Sequence, residues 1–235
     1  MFDPADADAL LKLQRVIYDA DGGSPPSRED IELEWIGEEA GFVRSLQVWT
    51  DGDQLIAAIG VWHESADPLD RAYGMTIIHP EWRTPEVLDT IVTATISAAT
   101  ELIDRSVSLY VGCIASANSR CAAMERAGFL VDTIYHRMCA SDVRLLQPSP
   151  LLEGFIIRPL AGTDDIDTWV RTINAAFADQ HEPTTTSTDE KRRQMHLASY
   201  LPTADLVALD SDGSLVGIGL GQLKTLEDGS LEAWV

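Results

Sequence analysis

The feature that most constrains this chain is an order of elements that occurs twice. Two hairpin signals, Asp51-Gly52 and Asp212-Gly213, lie 161 residues apart, and each separates two apolar runs. An Asp-Gly pair at such a position is typical of a tight β-turn. Each hairpin follows two segments with helical periodicity, and two helices plus a hairpin in the same order indicate an internal duplication. We therefore expect two copies of one domain type.

The first copy is predicted to be a mixed α/β layer. Helices are expected at 8–19, within 24–35, at 85–104 and at 119–128, and strands at 42–50, 54–62, 71–79, 107–115 and 129–141. The helix at 85–104 has the clearest apolar stripe, with a spacing near 3.6 residues. Thr84 is its expected N-cap, and Pro85 stands in its first turn, where proline is favoured because no N–H is needed there.

The second copy is predicted to begin the same order again. A strand is expected at 154–160, helices at 164–180 and 187–201, and strands at 206–210, 215–223 and 231–235. The predicted division is a first domain at 1–148, a linker at 149–154 and a second domain at 155–235. Because the second copy stops at its third strand after the helices, 155–235 are expected to form the first half of a domain.

Composition argues against several classes of function. The formal net charge is −21, and the first 150 residues contain a single lysine, Lys12. Nucleic acid is therefore not an expected partner, because binding it requires clustered basic side chains. No apolar run approaches the ~20 residues of a membrane span. The start of the chain lacks the basic region of a signal peptide, so we expect a cytoplasmic location. The cysteines and histidines show no metal-site spacing, so we expect reduced thiols and no metal.

Two stretches carry a resemblance to a known family. Residues 116–138, SANSRCAAMERAGFLVDTIYHRM, contain a predicted helix that ends in Gly-Phe and is followed by a predicted long strand. Within residues 77–88, the run His79-Pro80-Glu81-Trp82-Arg83 leads into the helix expected at 85–104. The first resembles the second motif of the GNAT superfamily of N-acetyltransferases, in the tandem arrangement of mycothiol-synthase-like proteins, and the second resembles that family's Val-x-Pro-x-x-Arg lead into the acetyl-CoA pyrophosphate loop. The resemblance implies an α/β fold with a GNAT-like mixed, mostly antiparallel sheet flanked by helices, followed by a partial second copy.

The resemblance also implies a chemistry. Family members transfer the acetyl group of acetyl-CoA directly to an amine. Backbone amides of a splayed strand hold the pantetheine, and glycine-rich amides at a helix start hold the pyrophosphate. Helix starts suit anions because they offer unpaired N–H groups and a positive partial charge. By this resemblance, the cofactor-binding candidates are Ile77, Ile78, His79, Arg83, Thr84 and Asn118, and the candidate general base is Glu232.

This sequence departs from the family at the pyrophosphate loop. The family's Arg-x-x-Gly-x-Gly corresponds to residues 83–88, with Glu86 and Leu88 at the glycine positions and Pro85 before them. Proline removes an N–H donor, glutamate places a carboxylate at the positive end of the helix, and leucine adds bulk. Each change weakens anion binding, and the same residues favour an ordinary helix start.

The second motif departs as well. Met124 stands where many members carry a tyrosine that protonates the leaving thiolate, and a thioether has no proton to donate. Asn118 lies one residue away from the asparagine often found in the family. Tyr110 and Tyr135 are alternative proton donors, although each lies in an apolar run, where burial is the simpler interpretation.

Two functions remain open from the sequence. The first is an N-acetyltransferase that uses acetyl-CoA to acetylate an amine of a small molecule or peptide, with this chain inactive or forming part of the active protein. The second is a non-catalytic GNAT-like binding or scaffolding protein. The altered loop disfavours acetyl-CoA binding by the first copy. A homodimer that covers the incomplete second sheet is expected, because an unpaired strand edge invites pairing.

Overall fold

The computed structural model describes residues 6–22, 27–32, 35, 42–64, 71–103, 106–114, 117–134, 150, 152–160, 165–179, 185–225 and 231–234. The chain divides into two units, unit 1 at 1–135 and unit 2 at 136–235. Each unit is described below by itself, and the domain boundaries expected at 148 and 155 stay predictions. None of the helices in the described ranges is long and apolar enough to cross a membrane.

Unit 1 is a four-stranded mixed sheet with helices. In chain order its elements are α1 Ala7–Asp21, α2 Arg28–Ile31, β1 Phe42–Asp51, β2 Gln54–Glu64, β3 Arg71–Ile78, α3 Pro85–Leu102, β4 Ser108–Val111 and α4 Asn118–Arg126. A 3-10 turn, Pro80–Trp82, joins β3 to α3. The strand order is β1-β2-β3-β4, with β3 and β4 parallel and the other neighbours antiparallel. The predicted mostly antiparallel sheet flanked by helices is confirmed.

Local chemistry explains where these elements begin and end. The predicted Asp51-Gly52 turn joins β1 to β2, and Gly52 has a φ of 57°, a conformation that glycine adopts readily. The helix α3 begins at Pro85 with Thr84 as its N-cap, as predicted. Beyond α4, the Phe129 N–H donates to the Met124 carbonyl oxygen at 3.0 Å, which closes the C-terminal end of that helix.

Apolar side chains pack against both faces of the unit 1 sheet. One buried cluster joins α3 and α4 to the sheet and includes Ile59, Val61, Ile78, Leu88, Ile91, Val92 and Met124. The other joins α1 to the sheet and includes Leu10, Leu13, Ile17, Trp35, Leu55 and Ile77. Successive strand residues point to opposite faces, which is why Ile77 and Ile78 belong to different clusters. The apolar stripe predicted for α3 is therefore a core face.

Unit 2 repeats the order of two helices and a hairpin. Its elements are β5 Ile156–Pro159, α5 Ile166–Ala176, α6 Thr188–Gln194, β6 Tyr200–Leu209, β7 Leu215–Thr225 and β8 Leu231–Trp234. The strands pair antiparallel in the order β5-β6-β7-β8. The helix expected at 187–201 ends at Gln194, because residues from Tyr200 onward pair in the sheet instead. The buried cluster is Leu160, Ile166, Trp169, Val170 and Val207.

Two strands expected in unit 1 differ from the structure. The strand expected at 107–115 ends at Val111. The strand expected at 129–141 does not form at 129–134, where Leu130 is 90% exposed and Val131 is 73% exposed. A strand needs a partner, and a four-residue β4 offers little edge for pairing. Residues 135–141, including Tyr135, lie outside the described residues.

Candidate functional site

The candidate site of unit 1 is a gap between two parallel strands. The strand β3 pairs with β4 from Arg71–Ser108 to Gly74–Val111, and β3 then continues to Ile78. We call the space beside Met75–Ile78, beyond the paired part of β4, the strand gap. On its other side this stretch pairs with β2. By the family resemblance, a splayed strand at this place holds the pantetheine arm of acetyl-CoA.

The Arg120 side chain fills the strand gap. Arg120 lies in the first turn of α4 and is buried. Its Nη2 atom donates hydrogen bonds to the Thr76 carbonyl oxygen at 2.8 Å and to Thr76 Oγ1 at 3.0 Å. A small cavity under α3 and α4, lined by Thr76, Val92, Thr95, Val111, Met124 and Phe129, has no room for a water molecule. A protein side chain therefore uses the backbone acceptor that the strand gap would present to a ligand.

Arg83 is committed to a contact within unit 1. Its Nη1 and Nη2 atoms donate to the two carboxylate oxygens of Asp21 at 2.7 and 2.8 Å, and its Nε donates to the Ile78 carbonyl oxygen at 3.1 Å. The Arg83 and Asp21 side chains are only 12% and 11% exposed. A bidentate pair of this kind fixes the plane of the guanidinium group. Arg83 therefore fastens the end of α1 to the end of β3.

The start of α3 uses its N–H groups within the chain. Thr84 Oγ1 accepts a hydrogen bond from the Val87 N–H at 3.4 Å, and the Thr84 carbonyl oxygen accepts one from the Leu88 N–H at 3.0 Å. Pro85 has no N–H to offer, and Glu86 adds a carboxylate to the first turn. This is the ordinary helix start that the sequence predicts. It leaves few unbonded N–H groups that could bind an anion.

The other residues predicted around this turn also have roles in the fold. The His79 N–H donates to the Ile56 carbonyl oxygen at 2.8 Å, and His79 Nδ1 accepts a hydrogen bond from the Glu81 N–H at 3.3 Å. The side chains of Ile77 and Ile78 are buried in the core clusters. The structure thus brings together residues 77–84 at the end of β3, and their role in cofactor binding stays a prediction.

The remaining predicted site residues lie on other elements. Asn118 is exposed at the first residue of α4, two positions before Arg120. Met124 is buried in the cluster between α3 and α4, as its apolar side chain favours. Glu232 belongs to unit 2, where its backbone pairs with Lys224 between β8 and β7. Its role as a general base stays a prediction.

Sequence reasoning missed two charged residues of the strand gap, Asp21 and Arg120. Burial lowers the pKa of Arg120, the charge of Arg83 acts in the same direction, and Cys113 and Asp21 oppose the shift. These groups are therefore close enough to influence one another. Only Arg120 could have been singled out from the sequence, because it is a basic residue within a helix that packs against the sheet.

The contacts of unit 1 do not fit acetyl-CoA. Arg120 bonds to Thr76 in the strand gap, Arg83 is paired with Asp21, and the α3 start offers few free N–H groups. No group of three or more His, Cys, Asp or Glu side chains in the described ranges is arranged to hold a metal ion. The described contacts of unit 1 therefore leave few of the free donors that an anionic ligand needs.

Comparisons with solved structures identify the fold. A GCN5-related N-acetyltransferase from Sphaerobacter thermophilus is 22% identical, with a TM-score of 0.63 over 94% of this chain and 70% of that chain. A tandem GNAT protein from the clavulanic acid biosynthesis pathway is 11% identical, with a TM-score of 0.57 over 94% of this chain and 71% of that chain. No protein-family model and no curated protein matches the sequence. The chain has the fold of the GNAT acetyltransferases, and the similarity extends over both units.

Proposed function

We propose that this chain is a tandem GNAT-type N-acetyltransferase protein in which unit 1 does not bind acetyl-CoA. The proposed reaction transfers the acetyl group of acetyl-CoA to an amine of a small molecule or peptide. The observation that supports the role of unit 1 is the filled strand gap, where Arg120 bonds to Thr76 and Arg83 pairs with Asp21. An acetyl-CoA molecule would have to displace both guanidinium groups from buried contacts, and few free N–H groups would replace them.

In this proposal, unit 1 is a supporting domain and catalysis belongs to unit 2. Glu232 on β8 is the candidate general base, because a carboxylate near the acceptor amine can take the proton that the amine loses on acetylation. The net charge of −21 favours a cationic amine as the approaching acceptor, since opposite charges raise the rate of encounter. A cytoplasmic location is part of the same proposal.

Titration calorimetry with acetyl-CoA tests the role of unit 1. We expect Arg83→Gln and Arg120→Gln to bind acetyl-CoA with the same affinity as the wild-type chain, because in this proposal acetyl-CoA does not contact these residues. The matched control is Arg126→Gln, which removes one positive charge from unit 1 at an exposed position paired with Asp89. A micromolar affinity that both gap variants abolish, and that the control retains, contradicts the proposal.

Thiol release from acetyl-CoA in the presence of a panel of amines tests the transfer reaction. Release with any amine would make this chain itself the active protein, and in that case we expect Glu232→Gln to lower kcat by a factor of about 100 or more, as loss of a general base does. Absence of release with every amine contradicts catalysis by this chain. Release that is unaffected by Glu232→Gln assigns the base to another residue.

A non-catalytic GNAT-like binding or scaffolding protein is the second candidate. The same filled strand gap favours it, because unit 1 has kept the fold and lost the donors. The proposed homodimer would cover the open edge of the second sheet at β8, which pairs with β7 on its other side. Sedimentation velocity tests the pairing: a dimer supports it, and a monomer at all concentrations contradicts it.

A further inference from the structure

Two thiol groups of unit 1 lie close together beside the strand gap. Cys113 follows the end of β4, and Cys121 lies in the first two turns of α4. Their Sγ atoms are 3.2 Å apart. Both also approach the Ile114 carbonyl oxygen, Cys113 Sγ at 3.6 Å and Cys121 Sγ at 3.8 Å. A disulfide bond has a length of about 2.05 Å, so the two sulfur atoms would have to approach by only about 1 Å.

The two thiols differ in their surroundings. Burial raises the pKa of Cys113 to about 11, and the hydrogen bond with Cys121 adds to the shift, while the nearby Arg120 charge opposes it. Cys113 therefore stays protonated near neutral pH. Both residues are half-buried, so a small oxidant has access to them. The thiolate is the reactive form of a cysteine, and either sulfur can resolve an oxidised partner because the two lie in contact.

We propose that Cys113 and Cys121 form a reversible disulfide when the protein meets a hydroperoxide. In the first step one of the two sulfur atoms attacks the peroxide, an S–O bond forms and the O–O bond breaks, the other peroxide oxygen leaves as an alcohol or water with the thiol proton, and the cysteine becomes a sulfenic acid. In the second step the other sulfur attacks the oxidised sulfur, the S–S bond forms, and the S–O bond breaks with release of water. Two electrons and two protons leave the thiols, and the hydroperoxide is reduced by the same amount. This modification does not depend on acetyl transfer.

The disulfide would fasten the start of α4 to the end of β4. Arg120 immediately precedes Cys121 and donates the hydrogen bonds that fill the strand gap. Arg120 already bonds to Thr76 with the thiols reduced, and an S–S bond at the next residue would restrain α4 further in that position. Oxidation would thus make the contact of Arg120 with Thr76 harder to open.

Intact-mass spectrometry after treatment with hydrogen peroxide tests the bond. The third cysteine, Cys139, is replaced in every sample (Cys139→Ser), so that it cannot compete. We expect a loss of mass equal to two hydrogen atoms, which dithiothreitol reverses. The matched controls carry Cys113→Ser or Cys121→Ser in the same background, and we expect no such loss in either, with circular dichroism confirming that both are folded.

Three results would overturn the proposal. The first is a gain in mass from added oxygen that dithiothreitol does not reverse. The second is a dimer linked by a disulfide between two chains. The third is that both thiols remain reduced at a peroxide concentration that oxidises free dithiothreitol. Hydrogen exchange then tests the coupling to Arg120: we expect amide exchange in 118–126 to slow by about tenfold or more in the oxidised protein. Equal exchange in the oxidised and reduced proteins contradicts the coupling.

Discussion

The two units each contain an ion pair that joins a helix to the rest of the unit, but they bury the pair to different depths. In unit 1, Arg83 and Asp21 keep about a tenth of each side chain exposed, and both carboxylate oxygens accept a hydrogen bond. In unit 2, Lys191 and Asp205 are fully buried, with a distance of 2.8 Å from Nζ to Oδ2. The first pair therefore keeps some contact with solvent, and the second lies within the core.

The pair of unit 2 is surrounded by further contacts. Tyr200 donates its hydroxyl to Asp205 Oδ2 at 2.7 Å, and Lys191 Nζ lies 3.2 Å from Gln194 Oε1. The same ammonium group lies 3.8 Å from the centre of the Trp169 ring. Burial lowers the pKa of Lys191 and the hydrogen bond to Asp205 opposes the shift. An aromatic and a carboxylate thus enclose a cation, which is a favourable arrangement for a buried charge.

The two pairs differ in where the charge that is compensated lies. Asp21 supplies the negative charge that compensates Arg83 before α3. Lys191 projects from α6 into the core of unit 2, where only a partner inside the unit can compensate it. The first pair joins two elements near the surface of unit 1, whereas the second compensates a charge within the core.

The largest effect is expected when the buried pair of unit 2 is broken. Lys191→Ala leaves the Asp205 carboxylate buried without its cation, and we expect the free energy of unfolding of unit 2 to fall by about 3 to 5 kcal/mol. Hydrogen exchange followed by peptide mass spectrometry measures this loss unit by unit. Exchange in α1 and α3 of unit 1 is the internal reference, because it reports a region that the substitution does not touch.

Replacing the whole buried pair by apolar side chains tests how much of the stability depends on the ion pair and how much on the packing of side chains. The triple variant Lys191→Met, Asp205→Leu and Tyr200→Phe removes both charges and the hydroxyl that would otherwise lose its acceptor. We expect its stability to lie within about 2 kcal/mol of wild type, because a buried ion pair and well-packed apolar groups are of similar worth. If Lys191→Ala is as stable as wild type, the pair does not form in the folded protein.

A smaller effect is expected at the pair of unit 1. Asp21→Asn keeps the shape of the side chain and removes its charge, and we expect unit 1 to lose about 1 to 2 kcal/mol. We expect no gain of acetyl-CoA binding, because Pro85 still lacks an N–H and Arg120 still bonds to Thr76 in the strand gap. Calorimetry and urea unfolding measure the two quantities. A new micromolar affinity would show that Asp21 alone closes the site.

Features that depend on neighbouring residues could be predicted from the sequence. The two Asp-Gly turns and the α3 start, with Thr84 as its cap and Pro85 in its first turn, depend on side chains within a few positions of one another. The position of Met124 in the α3–α4 cluster follows equally from helical periodicity. In each case the chemistry of a short stretch is sufficient to specify the local structure.

Features that depend on distant partners could not be predicted. Arg83 and Asp21 are 62 positions apart, and Arg120 reaches Thr76 across 44 positions. The strand expected at 129–141 is wrong at 129–134 for a related reason, because an apolar run becomes a strand only where a neighbouring edge can pair with it. Contacts between residues far apart in sequence therefore determine the parts of the strand gap that short stretches of sequence do not specify.

The smallest expected effect compares how the two units begin a helix. In unit 1, Thr84 makes one capping bond, at 3.4 Å to the Val87 N–H. In unit 2, Ser187 and Glu190 form a reciprocal capping box, with bonds at 3.1 and 3.3 Å. We expect Ser187→Ala to cost about 1 kcal/mol and Thr84→Ala about 0.5 kcal/mol, because the shorter, reciprocal pair satisfies two N–H groups rather than one.

Urea unfolding of both variants measures this order, with Thr93→Ala as a control because Thr93 bonds only to a carbonyl oxygen within α3. A larger loss in Thr84→Ala would mean that the α3 start carries strain which its cap relieves. That result would favour a helix start that keeps part of the geometry of an anion site, and it would weaken the contrast between the two units. The predicted order instead treats both helix starts as ordinary caps that differ only in the number of N–H groups they satisfy.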